Sequence, residues 1–226
     1  MNNKCLTYKD AGVDLDRGNE FVNKVRGRAV TTLTPGVLAH LGGFAGCFEI
    51  PSGYEQPVMV TGADGVGTKL LLALDKPQYL MNVGVDLVAM VVNDIICCGA
   101  KPLFFLDYFA TGKLNIDQGV MFVEGIADAC DFTGTALIGG ETAELPGMYR
   151  DNEFDAAGFG VGIVDKKDII DGHNNVKPGD VVIGISSSGP HSNGFSLIRK
   201  VLEANTPSEE ILDQIMQPTH LYTNVI

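Results

Sequence analysis

The stretch TGADGVGTKL, Thr61 to Leu70, sets Gly62, Gly65 and Gly67 around Asp64 and just ahead of Thr68 and Lys69. An apolar run, PVMV (Pro57 to Val60), leads in, and KLLLAL leads out. The pattern predicts a strand, a glycine turn and a helix. Glycines let backbone N–H groups curl around an anion without a Cβ in the way. A helix N-terminus beyond the turn would add partial positive charge. Gly62 and Gly67 have the spacing of a Walker A loop, but Thr68 and Lys69 stand in the reverse order. A bare carboxylate facing phosphates repels them unless a cation lies between. Asp64 therefore reads as a Mg²⁺ ligand rather than a direct phosphate contact. This argues against a P-loop NTPase and for a metal-bridged phosphate site. A plain glycine-rich turn is the alternative.

The rest of the composition narrows the class. The 226 residues are 45% hydrophobic and 19% charged, with 28 glycines. That suffices for one large domain, or for one domain and part of another, and excludes a disordered or coiled-coil chain. A net charge of -12 argues against a nucleic-acid partner, which needs clustered Lys and Arg. The five cysteines are odd in number and form no C-x-x-C. Cys97 and Cys98 lie in an apolar run and are expected to be buried thiols in a reducing, cytoplasmic setting. The N-terminal MNNKCLTYKD is polar and does not read as a signal peptide. Leu80 to Cys98 is strongly apolar but interrupted by Asn82, Asp86, Asn93 and Asp94. It is expected to be a buried helix, with no membrane partner.

In chain order, Met1 to Arg28 reads as a flexible arm with a short helix, Gly18 to Val25. LGGFAG (Leu41 to Gly46) reads as a mobile loop before a strand, CFEIP. Val83 to Cys98 is predicted helical, with Asp86, Met90 and Asn93 on one face. Polar groups there must find partners or a function. Pro102 to Gly112 is predicted to be a strand buried on both faces for most of its length. Asn115 to Gly134 follows as an amphipathic helix. Ala136 to Met148 is a strand emptying into Gly139, Gly140 and Glu141, a frequent place for ligands. Glu141 and Glu144 are either a metal pair or loop carboxylates.

Glu153 to Asp168 is a further strand, whose GFGVG lacks the third glycine of a dinucleotide fingerprint. The turn-rich Asp165 to Pro178 marks a boundary between residues 1–168 and 169–226. Val181 to Leu202 begins again as strand, loop and helix. Its loop, SSSGPHSNG, offers Ser188, His191, Ser192 and Asn193 to an oxyanion or phosphate; without G-x-S-x-G it is not a hydrolase elbow. A helix is predicted over Ser208 to Met216, and the second domain reads as incomplete. The element order predicts an α+β fold with an α/β-layered first domain.

Taken together the motifs resemble the AIR synthetases, the phosphoribosylformylglycinamidine cyclo-ligases of purine biosynthesis. The stretches that carry the resemblance are YKDAGVD (Tyr8 to Asp14), GADGVGTKL (Gly62 to Leu70) and GVDLVAM with VNDI (Gly84 to Ile95). GAKPLFFLDYFATGKL (Gly99 to Leu114), GGETAELPGMY (Gly139 to Tyr149) and SSSGPHSNGFSLIRK (Ser186 to Lys200) complete them. The resemblance implies ATP-dependent ring closure of formylglycinamidine ribonucleotide to aminoimidazole ribonucleotide. It implies a homodimer formed through the sheet of the first domain, and ATP with Mg²⁺ as cofactors. By the same match Asp64, Asp94 and Glu141 are expected to hold metal. Lys69 and Asn93, with Gly62, Gly65, Gly67 and Thr68, are expected at the nucleotide. Gly139, Gly140, Glu141, Ser188, His191, Ser192 and Asn193 fall to the substrate. Lys69, Asp94 and His191 are the catalytic candidates, with His191 a possible general base. One departure is Arg26, where the family often carries a Lys; Arg keeps the charge but not the compact ammonium.

Overall fold

A computed structural model describes residues 7–38 and 45–225. Most of LGGFAG lies outside those residues. Residues 15–31 are more ordered than the polar sequence predicts. Helix α1 runs Leu15–Thr31, because the Asp14 side chain accepts from the Asp16 and Arg17 amides and caps it. Buried Phe21 and Ala29 then fix its inner face. Cys47 to Pro51 forms no strand; an isolated bridge pairs Phe48 with Val37.

Four strands form one sheet in the order β1-β4-β2-β3. They are β1 (Pro57–Gly65), β2 (Lys101–Thr111), β3 (Ala136–Glu144) and β4 (Phe154–Asp165). β4 runs antiparallel to both β1 and β2, while β2 and β3 are parallel. The β2-to-β3 crossover is α4 (Ile116–Thr133). Between β1 and β2 come α2 (Lys69–Asp75) and α3 (Leu80–Cys97). The predicted order of the first domain is thus found, as a mixed rather than a parallel sheet.

Glycine decides how closely the layers meet. A Cβ on Gly160 or Gly162 of β4 would lie 2.6 Å from Val91 or Ile95 of α3. GFGVG is therefore a packing stripe that lets α3 lie on the sheet. Gly62 of β1 faces α3 too, where a Cβ would lie 3.3 Å from Val91. α3 and α4 cross at Gly84 and Gly125, where a Cβ would overlap the carbonyl oxygens of Phe122 and Met81. Beneath α4, Phe109 stacks on Phe154 at 4.4 Å and Phe122 meets Phe154 edge-on at 5.3 Å.

By length and composition, Pro77–Cys97 could cross a membrane, but 61% of its apolar window is buried inside this fold. It is the central core helix. Its end differs from expectation: Cys97 is exposed and Cys98 half-buried, because the helix's last sheet-facing contact is Ile95. The opposite face of the sheet leaves Met59, Tyr108 and Phe159 exposed.

After β4 the chain forms α5 (Gly172–Asn175), α6 (Phe195–Ala204) and α7 (Glu209–Ile215). The strand expected at Val181 is not formed. Val181, Val182 and Ile183 are 85%, 94% and 82% exposed, with no neighbouring strand to pair with among the described residues. An isolated strand has no ladder to satisfy its backbone, so hydrophobic sequence alone does not make one.

Candidate functional site

The opening turn is tighter than its glycines suggest. Strand β1 continues through Gly65, pairing Asp64 with Gly158, so only Val66, Gly67 and Thr68 make the turn. Gly67 has a φ of 62°, the left-handed region that favours glycine. Gly62 and Gly65 are ladder residues of β1 and are not part of the turn. Asp64 is exposed; its Oδ1 accepts from the Gly65 amide at 2.7 Å.

Lys69 turns inward and is fully buried. Its Nζ lies 2.7 Å from Asp86 Oδ2 and donates to the carbonyls of His191 (2.9 Å) and Gln217 (2.8 Å). The Asp86 contact is a charge contact set off the line of a hydrogen bond. Burial pushes the Lys69 ammonium down from its ordinary range and the Asp86 carboxyl up, each opposed by the other's charge. The Lys69 ammonium is thus held by two carbonyl acceptors and one buried carboxylate, all from the protein.

The His191 loop sits on this turn. Ser192 Oγ donates to the Val66 carbonyl at 3.1 Å, and Thr68 Oγ1 lies 3.4 Å from Ser196 Oγ. Ser188 Oγ donates to the Pro218 carbonyl at 2.5 Å, and Asn193 Nδ2 approaches the Met90 sulfur at 3.8 Å. The polar face of α3 finds its partners in the segment after α7. Asp86 Oδ1 accepts from the Thr219 amide (2.8 Å) and hydroxyl (2.7 Å). Asn93 donates to the His220 carbonyl at 2.8 Å and accepts from the Tyr222 amide at 3.1 Å. His191 itself has a φ of 61°. Its ring lies 6.1 Å from each of the His220 and Tyr222 rings, with Nε2 3.5 Å from the Tyr222 hydroxyl. Burial, and then the neighbouring His220, lower the His191 pKa. A largely neutral imidazole is the form that can take a proton. His220, Tyr222 and Thr219 were missed by sequence reasoning, since nothing in QPTHLYT ties it to α3.

A second group collects at the β3 edge. A cavity of about 500 Å³ is walled by α1, β2 and β3 and includes Arg26, Asp107, Gly139, Gly140 and Glu141. The glycine pair has a packing reason: a Cβ on Gly140 would overlap Asp107 Oδ1. Glu144, the other half of the expected carboxylate pair, is structural. Its two oxygens accept from the Asp14 (2.7 Å) and Leu114 (2.8 Å) amides.

Asp107 was not singled out from sequence, where one acid in an apolar strand gives little signal. Burial pushes its carboxyl up to about 7, against about 3.9 for a free Asp. The folded protein then holds an extra proton across that interval. Asp107 is only half-buried where it lines the cavity, so its contribution to stability falls as pH rises from 4 to 7 by less than about 1.4 kcal/mol per unit, and is flat above. Asp107→Asn removes that slope. In thermal melts its Tm advantage over the parent should be near zero at pH 4, widen to pH 7 and hold at pH 8. An advantage that does not change with pH would contradict the assignment.

The structure thus divides the expected residues. Lys69, Asn93, Ser188, His191, Ser192 and Asn193 meet around the turn and the 216–222 segment. Gly139, Gly140 and Glu141 line the β3 cavity. Asp64 and Asp94 are exposed, one on β1 and one on α3. Among the described residues no three His, Cys, Asp or Glu side chains converge on a metal position. Asp64, Asp94 and Glu141 do not make a three-ligand cage within one chain. Mg²⁺ needs no such cage, since it is commonly held by one or two carboxylates with phosphate and water. Asp64 and Asp94 also make no ion pair among the described residues.

Comparison with known proteins adds to this geometry. The family model AIR synthase related protein, N-terminal domain, matches residues 43–164, and the corresponding C-terminal domain model matches residues 177–226. Curated relatives include the phosphoribosylformylglycinamidine cyclo-ligases of Bordetella avium strain 197N and Bordetella pertussis strain Tohama I. Each is 54% identical over 98% of this chain. The chain spans 65% of the length of each. Among solved structures, hydrogenase maturation protein HypE in complex with ATP is similar at 19% identity and a TM-score of 0.53. The match covers 76% of this chain and 46% of that one. Thiamine monophosphate kinase from Aquifex aeolicus is similar at 18% identity and a TM-score of 0.52, covering 74% of this chain and 55% of that one. These two likenesses concern the fold.

Proposed function

The chain belongs to the AIR synthase related family, and from that premise we propose that the protein carrying it closes the imidazole ring of aminoimidazole ribonucleotide. The substrates are formylglycinamidine ribonucleotide and ATP, and the products include ADP and phosphate. The observation that carries the reading is the 54% identity, over 98% of the chain, to relatives named phosphoribosylformylglycinamidine cyclo-ligase.

In the proposed reaction the amide oxygen of the substrate attacks the γ-phosphorus and ADP leaves. The neighbouring amine then attacks the activated carbon. The C–O bond breaks, phosphate departs with the electron pair, and nitrogen loses a proton. Little covalent chemistry falls to the protein; positioning and charge neutralisation do most of the work. A divalent cation would supply that neutralisation when held by Asp64, with Asp94 the second candidate. The β3 cavity is of ligand-binding size and offers Arg26 to an anion. His191, low in pKa and beside the Tyr222 hydroxyl, is suited to receive the proton.

The test is Asp64→Asn, assayed with ATP, Mg²⁺ and formylglycinamidine ribonucleotide. ADP release should fall by at least ~100-fold, the scale on which loss of a transition-state charge contact is felt, with the melting curve unchanged. Turnover equal to the parent's would remove Asp64 from the metal site.

The homodimer belongs to the same proposal. Met59, Tyr108 and Phe159 are 45%, 36% and 43% exposed on one face of the sheet, the kind of apolar surface that a partner covers. Phe159→Asp should convert a dimer to a monomer in light scattering after size exclusion. An unchanged mass would place the dimer contact elsewhere.

A further inference from the structure

We infer that Lys69 and Asp86 are positioning residues that seat the His191 loop, and that Lys69 is not a ligand of the nucleotide phosphates. This rests on the reading above, in which His191 belongs to the reaction site.

What Lys69 can reach is limited by its surroundings. Its side chain is fully buried; its ammonium donates to the His191 and Gln217 carbonyls and pairs in charge with Asp86 Oδ2. To touch a phosphate it would have to abandon a buried carboxylate and two part-buried carbonyls. Leaving such groups unpaired is costly. A phosphate lysine instead keeps its ammonium free at the mouth of a site.

Asp86 completes the seat from the other side. One oxygen meets Lys69, and the other accepts both Thr219 donors. One buried ion pair thereby ties the Gly67 turn, α3, the His191 loop and the 216–222 segment together. That segment delivers His220 and Tyr222, whose rings surround the His191 imidazole. The direction of the tether also matters. Lys69 holds the carbonyl of the one non-glycine residue at positive φ among the described residues. A bulky residue stays there only when its surroundings over-determine it. With the tether gone, His191 can relax and its ring swings away from the Tyr222 hydroxyl.

The role is tested first in the parent protein, by following the Lys69 ammonium resonance in ¹⁵N NMR while ATP and Mg²⁺ are added. The resonance should not move, since the nucleotide does not reach it. A shift that saturates with ATP would overturn the inference. The second arm is the double variant Lys69→Met, Asp86→Asn, which removes both charges at near-constant volume and keeps an oxygen for Thr219. The His191 titration, read from ¹³C-labelled histidine, should move up toward the ordinary value. ATP affinity should stay within about threefold, while kcat falls at least tenfold with KM for ATP unchanged. A tenfold loss of ATP affinity, or a His191 titration that stays in place, would overturn it. Parent protein that neither binds ATP nor forms an imidazole product would sink the functional reading instead. The His191 titration would still decide whether Lys69 and Asp86 seat the loop.

Discussion

Gly125→Ala should remove most of the protein's stability: soluble yield should fall, and the soluble fraction should melt far below the parent. The reason is backbone against backbone. A Cβ at Gly125 would overlap the Met81 carbonyl oxygen and lie 2.8 Å from its carbon and 2.9 Å from its Cα. Neither partner is the end of a flexible side chain, so one helix must move bodily. Gly84 faces the same crossing from α3, where a Cβ would sit 2.9 Å from the Ile126 nitrogen and overlap the Phe122 oxygen. Separating α3 from α4 would expose Leu80, Val83, Leu87, Phe122 and Ile126, all buried at the centre of the core. Overpacking of this kind costs typically 1–3 kcal/mol, or roughly 4–5 where nothing can yield. A domain has only about 5–15 kcal/mol to lose. Gly18, with open space where its Cβ would be, is the control. Gly18→Ala should stabilise slightly, because it replaces a helical glycine. A Gly125→Ala protein that melts like the parent would mean that the helices cross further apart than described.

Asp86→Ala should lower unfolding free energy by about 3–5 kcal/mol, read as a shift of the urea midpoint at constant slope. The pair it breaks is fully buried on both sides, at 0% side-chain exposure for Lys69 and for Asp86. The variant strands the Lys69 ammonium beside two carbonyls and removes the one oxygen that accepts both Thr219 donors. Breaking a buried pair from one side is far worse than replacing both members, which is often neutral. Hence Lys69→Met with Asp86→Asn should recover most of the loss. Asp117, 92% exposed in its contact with Lys24, should give a change within about 0.5 kcal/mol when replaced by Ala. Equal effects at Asp86 and Asp117 would show that the pair is hydrated.

Much of the first domain was readable from pattern. The apolar run Leu80–Cys97, the amphipathic Ile116–Thr133 and the β2, β3 and β4 strands follow from periodicity, with turns marked by glycine. The acid and amide on one face of α3 announced that they needed partners, and Asp86 and Asn93 found them in the 216–222 segment. What was not readable is set by partners distant in sequence. Gly62 looked like part of a phosphate loop, but it is a packing glycine, because the sheet continues through it and α3 lies against it. Val181 to Ile185 has a strand's composition and, among the described residues, no neighbour to pair with. Lys69 was expected at the nucleotide from the resemblance alone. Its burial depends on residues more than 100 positions downstream, which local spacing does not reveal. Asp107 carried no motif at all; only the fold, with Gly140 pressed against its carboxyl, makes it visible.

In the proposed function, ATP turnover is coupled to closing a ring. The most direct measurement mixes the protein with ATP, Mg²⁺ and formylglycinamidine ribonucleotide, and quantifies ADP and aminoimidazole product in the same samples over time. The two should appear together in a one-to-one ratio, and neither should appear when the ribonucleotide is left out. ADP forming without imidazole, or at the same rate with no ribonucleotide present, would contradict that coupling.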